Sequence, residues 1–371
     1  MLAGFPSPSN HWGEYMTNIF SMAPITTRLL KRLGRKTGGL YDGAKERLEL
    51  APSVWSFSPR VISLPNESDR ATGTMPHTTL AAIRALESEG QHLHGATIAY
   101  RFNDVLLADG CFYSNGHYGV GRPGVRRRIF IGHQGEDFED AQLSTDMSSE
   151  MYFGHWLCDG LCTELLAIDR KLPGLTYKRP IGLHEPEYRQ LLDIQGHAIS
   201  LAKVKRLWVI DDRGINLNRS DRFRRLRFRL GRNVKKTLPS APYIYITRGS
   251  SGVKRNLVNE TAITAVLSGI GFDIIDPMKM TPMAIAESLH SAEVVISVEG
   301  SHASHALLAM PPGGAILIIQ PPERFLHSWK FFGDIVGVRY GFVVADSHPH
   351  GFTLEPARLL RTLDLVVAAI R

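Results

Sequence analysis

From Tyr243 onward the chain alternates strictly between strand and helix. TyrIleTyrIle is followed by a helix-patterned run (261–267), then by a strand (272–275) and a helix opening at Pro282. A strand over 294–298, a helix over 302–310 and a strand over 315–319 complete the series. Strands separated by crossover helices pair in parallel and are covered on both faces, so this half predicts an α/β layer structure. Thr281 before Pro282 is a good helix start, because threonine caps and proline loses no needed hydrogen bond there. Glu355 to Ile370 reads as a closing amphipathic helix. Upstream the pattern differs. A helix signal (78–88) gives way to β-prone runs (98–102, 105–108, 128–131) parted by Asp-Gly and Asn-Gly turns, which predicts a meander or mixed sheet. An aromatic-rich helix from about Tyr152 to Asp169 and a buried strand over 205–210 close that half. At 371 residues the chain exceeds what one core usually supports, so two domains are expected. We divide it into an irregular lead-in (1–75), an N-terminal domain (76–237), a C-terminal domain (238–350) and a C-terminal helix segment (351–371).

Three cysteines (Cys111, Cys158, Cys162) make no disulfide framework, and a reducing compartment fits them best. No apolar run approaches the roughly 20 residues of a membrane span, and the N-terminus lacks the basic-then-apolar leader pattern. The expected location is cytoplasmic. Nine of the basic residues fall between Arg219 and Lys236 beside a single Asp221, a local balance of +8 in a chain of net charge +7. Phe223, Leu226 and Leu230 recur there at helical spacing, so a surface helix at the domain boundary is the plain reading. Contact with an anionic membrane surface carrying a lipid-linked acceptor, or with an acidic polysaccharide, are sharper ones. Only Phe223 and Phe228 offer stacking rings in it, so no nucleic-acid partner is expected.

Three constellations carry candidate chemistry. In 247–260, Arg248, Lys254 and Arg255 follow a strand end beside a Gly/Ser turn, and Asn259–Glu260 open the next helix; guanidinium and ammonium donors there suit a diphosphate. A solvated basic loop is the alternative. In 298–305, a strand runs into Glu299, suited to a ribose diol, and Gly300–Ser301 expose helix N-terminal N–H groups suited to phosphate. His302 and His305 stand three apart without a third ligand, so no metal is expected; an ordinary capping turn with surface histidines is the alternative. In 152–160, His155 and Asp159 share one helix face and are placed to take a proton from an acceptor hydroxyl, the carboxylate acting directly or orienting the ring. A pair that only stabilises its helix is the alternative. GlyValGlyArgProGly (119–124) fits a dinucleotide fingerprint in letters alone, since no helix follows it, and P-loop, hydrolase-elbow and zinc-protease motifs are missing from the sequence.

In order, HisTrpLeuCysAsp (155–159), Arg248 with LysArgAsnLeuValAsnGlu (254–260), and GluGlySerHisAlaSerHis (299–305) before AlaMetProProGly (309–313) resemble glycosyltransferase family 61 over roughly residues 95–345. The resemblance implies a GT-B-like arrangement of two Rossmann-like domains facing across a cleft, the C-terminal one holding the nucleotide-sugar. It implies inverting, metal-independent transfer from a nucleotide-sugar, a UDP-linked one first, to a hydroxyl of a glycan or lipid-linked glycan, with no cofactor. Many family members carry a His-Gly-Ala-Gly type turn ending near an Asn. Glu299 stands here for that first His and His305 stands near the Asn position, so no particular sugar is carried over. A polysaccharide pyruvyltransferase-like enzyme on a similar scaffold, a catalytically silent nucleotide-sugar binder and a nucleic-acid-binding module are the competing functions.

Overall fold

The computed structural model describes residues 15–33, 41–122, 130–235, 241–248 and 255–371. The strands in chain order are β1 (Tyr15–Ser21), β2 (Glu46–Ala51), β3 (Val54–Ser58), β4 (Gly90–His94), β5 (Thr97–Ala108), β6 (Cys111–Ser114), β7 (His117–Val120), β8 (Ile131–Leu143), β9 (Gly174–Tyr177), β10 (His197–Ile199), β11 (Leu201–Asp211), β12 (Tyr243–Ile246), β13 (Asp273–Ile275), β14 (Val294–Val298), β15 (Ala315–Gln320) and β16 (Arg339–Val344), followed by a small hairpin of β17 (Asp346–His348) and β18 (Gly351–Thr353). The first sheet has nine strands in the order β10-β9-β8-β11-β5-β6-β7, with β1 added to β8 and β2 to β5. It is mixed. β8, β9, β10 and β11 run parallel, whereas β5, β6 and β7 form an antiparallel meander. Asp109–Gly110 and Asn115–Gly116, all at positive φ, make its hairpin turns as the dipeptides predict.

The expectation of two Rossmann-like halves is therefore met by the second half alone. Hairpins join adjacent strands antiparallel, and only a crossover can return the chain in parallel. The lead-in also departs from its irregular reading. β1 and β2 pair with the first sheet, and β3 with β4 forms a separate two-stranded ribbon. β2 lies exposed along most of its length and so shows no apolar alternation to read. The runs 98–102 and 105–108 prove to be one strand, β5, interrupted at Asp104 (φ 50°), which the β11 pairing skips. The expected boundary near residue 238 lies outside the described residues, as does the stretch 1–14.

The second sheet is entirely parallel, in the order β13-β12-β14-β15-β16. From β12 the chain goes first to one side, to β13, and then to the other, to β14. The crevice at the carboxyl ends of β12 and β14 is thus the topological switch point, where open α/β sheets bind ligands. One face of this sheet is covered by the helices Glu260–Gly269 and Pro356–Ile370 through Ile263, Leu267, Leu359 and Val366. The other face shares one continuous core with the first half: Ile246, Val295 and Ile318 pack in the cluster that holds Trp156, Leu157, Leu161, Phe223 and Leu226. Among the described residues no helix is long and apolar enough to cross a membrane.

The basic segment is a helix, Leu217–Asn233, amphipathic as its spacing predicts, with Asp221, Arg224 and Phe228 on its exposed face. Phe223, Leu226 and Leu230 are fully buried, and so is the side chain of Arg222. Three of its arginines reach the carboxyl ends of other helices, and Arg222 reaches a carbonyl in the first turn of the helix Leu161–Asp169. Arg229 donates to Leu192 O at 2.8 Å, Arg224 to Ile335 O at 3.0 Å, Arg222 to Cys162 O at 2.8 Å, and Arg227 to Leu307 O and, at 2.5 Å, Met310 O. Arg225 forks onto the Asp169 carboxylate at 2.7 and 2.8 Å. Guanidinium donors satisfy the orphan carbonyls and the negative dipole end of those three helices. That internal duty takes up Arg222, Arg224, Arg225, Arg227 and Arg229, a role the sequence cannot assign because it does not show where each arginine points.

Candidate active site

The chain leaving β8 caps a short helix, Met147–Met151, with Asp146, whose carboxylate accepts from Ser149 N at 2.8 Å. It then runs helically from Phe153 to Asp169, widened into a π-turn at Trp156–Gly160, where Leu161 N reaches Trp156 O. Single π-turns inside helices often mark functional sites. His155 Nδ1 and Asp159 Oδ2 are 2.5 Å apart across this turn. The His155 side chain is 40% exposed and that of Asp159 21%. Asp159 Oδ1 accepts from Arg219 of the basic helix, and Arg219 also donates to Asp212 O. Burial holds the His155 imidazole below its usual range and Arg219 adds to the effect, against the opposing pull of Asp146 and Glu299. The ring is therefore neutral at neutral pH. Cys158 and Cys162 on the inner face are buried thiols, pushed up by burial, and pack as small apolar groups as expected.

The opposite wall is built at the switch point. Glu299 N–H continues the ladder to Ile319 O at 2.9 Å, after which Gly300 takes a φ of 152°. A Cβ at Gly300 would stand 2.9 Å from Arg255 Nη1 and 3.1 Å from Arg248 Nη1, so both guanidinium groups lie across this glycine. Arg255 Nη1 donates to Glu299 O at 2.9 Å and stands 2.6 Å from Glu299 Oε2. Arg248 is buried, and its backbone N–H donates to Glu260 Oε1 at 3.0 Å, which also accepts from Tyr245 OH at 2.8 Å. We expect Gly300→Ala to displace both guanidiniums and to weaken nucleotide binding about tenfold or more, measured by calorimetry.

The two walls touch. A Cβ on Gly154 would lie 2.7 Å from the Trp329 ring and 3.0 Å from Ser301 Cα, so the His155 helix rests directly on the 299–301 turn. The His155 and Trp329 rings are 6.3 Å apart. The Glu299 charge is felt at His155 and the Tyr152 hydroxyl at Arg255. These contacts bring His155, Asp159, Arg248, Arg255, Glu299, Gly300, Ser301 and His302 together where the two halves meet.

Other expected donor-site residues have different duties. Both ends of the Asn259 amide are taken by the Leu354 backbone, at 2.8 and 3.1 Å, and Glu260 serves as the acceptor that fixes Tyr245 and Arg248. His305 is fully buried, bonded through Nδ1 to the Tyr188 hydroxyl at 2.6 Å, with the Phe153 and His184 rings each 5.1 Å away. It is a core residue, because the helix Ala303–Ala309 turns that face inward. Lys254 lies outside the described residues. His302 is buried with Nδ1 3.2 Å from Thr247 O, and burial, with Arg248 nearby, lowers its pKa to about 4. The unfolded chain protonates this imidazole near pH 6.5. Between those values the unfolded state holds more protons, so stability falls as pH drops from 6.5 to 4, by about 3 kcal/mol from this group. Urea unfolding across that range should show the loss, and His302→Gln should flatten it.

Sequence reasoning missed Arg219, Arg324 and Trp329. Arg324 acts on Arg255, whose guanidinium burial depresses first. Arg255 Nε, Arg324 Nε and Trp329 Nε1 are buried donors with no hydrogen-bond partner among the described residues. Buried donors left unmet suit an anionic or hydroxyl-rich ligand. Nothing local marks Trp329, which joins the cleft only through the packing of Gly154. A separate cavity of about 430 Å³, lined by Asp104, Tyr113, Asp137, Lys203 and Lys205 among others, contains none of these residues.

No curated protein matches the chain. Among solved structures, the dodecameric iron-containing heptosyltransferase TibC in complex with ADP-D-β-D-heptose is 13% identical, covering 75% of this chain and 94% of its own, at a TM-score of 0.32. A second structure, the dodecameric TibC from enterotoxigenic E. coli H10407, is 10% identical, covering 75% and 95%, at 0.33. Likeness this loose carries no argument. The family model described as Glycosyltransferase 61 matches residues 153–317, a span that opens two residues before His155 and includes Asp159, Arg219, Arg248, Arg255 and the 299–301 turn. Over that span, somewhat under half of the chain, the sequence is similar to glycosyltransferase family 61.

Proposed function

We propose that this transferase moves a sugar from a nucleoside-diphosphate sugar, UDP-linked in the first instance, to a hydroxyl of a glycan or lipid-linked glycan, with inversion and without a metal. The observation that carries it is the pairing of Arg248 and Arg255 across Gly300 with the His155–Asp159 dyad on the facing wall. The acceptor oxygen loses its proton to the dyad and attacks the anomeric carbon from the face opposite the diphosphate. The bond from that carbon to the leaving oxygen breaks, and the negative charge left on the diphosphate is received by Arg248 and Arg255. Two fixed cations at a switch point supply the charge stabilisation that a divalent ion gives elsewhere. A mixed-sheet half facing a parallel-sheet half across this cleft supports a GT-B-like division of labour between acceptor and donor.

Calorimetry of the protein with UDP, GDP and CMP and their sugar conjugates, with and without EDTA, tests the reading. Nucleoside-diphosphate binding that survives EDTA is the expected result, and it names the donor class. Failure of every nucleotide to bind overturns it in favour of a pyruvyltransferase-like or non-nucleotide activity.

A further inference from the structure

Asp159 has its two carboxylate oxygens spent on different partners, His155 Nδ1 on Oδ2 and the Arg219 guanidinium on Oδ1. Arg219 comes from the basic helix, is 5% exposed, is anchored a second time on Asp212 O, and lies 5.5 Å over the Phe332 ring. We infer that Arg219 is a positioning residue that fixes Asp159 as the orienting group and leaves His155, through Nε2, to take the acceptor proton. This rests on the transferase reading of the site.

The geometry separates the two roles. A carboxylate with one oxygen on Nη2 of a buried guanidinium and the other on an imidazole N–H has both oxygens engaged, whereas a ring bonded through Nδ1 keeps Nε2 for proton transfer. The charged groups acting on His155 are Asp159 on its own helix, Arg219 on the basic helix, Asp146 on the turn before it and Glu299 on the facing strand. With Arg219 in place, Asp159 and its cation sum to zero and the imidazole stays uncharged near neutrality. When the acceptor O–H breaks, its proton forms the imidazolium and the Asp159 carboxylate holds the Nδ1–H. Without Arg219 the carboxylate acts alone on the ring, which then binds its proton at higher pH.

The test is Arg219→Gln and Arg219→Lys beside wild type, read in two ways: the acid limb of kcat/KM against pH, and the NMR titration midpoint of the His155 ring nitrogens, which needs no turnover. Arg219→Gln should raise both by about one pH unit. Arg219→Lys, which keeps the cation and loses the fork, should keep the midpoint and lower kcat by about tenfold. An unchanged midpoint in Arg219→Gln overturns the proposal, whatever the turnover. Should that variant fail to fold, a lysine variant with wild-type kcat overturns it instead. A raised midpoint in a protein that transfers no sugar and binds no nucleotide counts against the transferase reading and leaves the charge coupling standing.

Discussion

Replacing His155 by glutamine should lower kcat by about 10²–10⁴-fold while leaving the affinity for nucleoside diphosphate within about twofold of wild type. In the proposed reaction the ring stands on the wall facing Arg248 and Arg255, so its loss removes proton transfer and spares the guanidinium pair. Asp159→Asn should lower kcat by a comparable factor, because an amide N–H facing Nδ1 holds the ring in the tautomer whose Nε2 already carries the proton. A His155→Gln variant that keeps wild-type kcat would give Asp159 the proton instead. Single-turnover assays with preloaded donor separate the chemical step from release of the nucleotide.

Arg255→Ala should weaken nucleoside-diphosphate binding about 100-fold, close to 2.7 kcal/mol, with the chemical step affected less. Its side chain is 9% exposed and pairs with Glu299, itself 6% exposed. Removing one partner of such a pair leaves a buried carboxylate uncompensated, and a stability loss of about 3–5 kcal/mol should accompany the binding loss. The double variant Arg255→Met with Glu299→Gln distinguishes the effects. It should recover most of the stability measured by urea unfolding and none of the affinity measured by calorimetry. If affinity returns with stability, Arg255 only braces the turn.

Much of this cleft was legible in the sequence because its parts lie at strand ends and on one helix, where spacing is nearly geometry. His155 and Asp159 four apart had to meet on a helical face, and the runs after β12 and β14 had to emerge side by side once those strands were neighbours. What spacing does not show is the direction of a side chain at the end of a turn. Asn259 turned to the Leu354 backbone, His305 turned inward to Tyr188, and the arginines of 217–233 turned to carbonyls, all by tertiary packing. Trp329 and Arg324 follow β15 with no motif of their own and enter only because the second sheet delivers the first beside Gly154 and the second within reach of Arg255. The first sheet's edges were illegible for a related reason: β2 is largely exposed, so burial imprinted no alternation on it.

The helix Leu217–Asn233 has a consequence for how this molecule comes apart. It precedes the second sheet in the chain, yet its apolar face sits in a core shared with that sheet's helices, and Arg227 and Arg224 seal carbonyls at residues 307, 310 and 335. Neither half therefore owns a complete interior. Cutting the chain near residue 238 would leave the first fragment with a bare phenylalanine-and-leucine stripe and the second with unsealed helix ends. Melting followed by tryptophan fluorescence, which reports Trp12, Trp55, Trp156 and Trp208 before the cut and Trp329 after it, should trace a single cooperative transition.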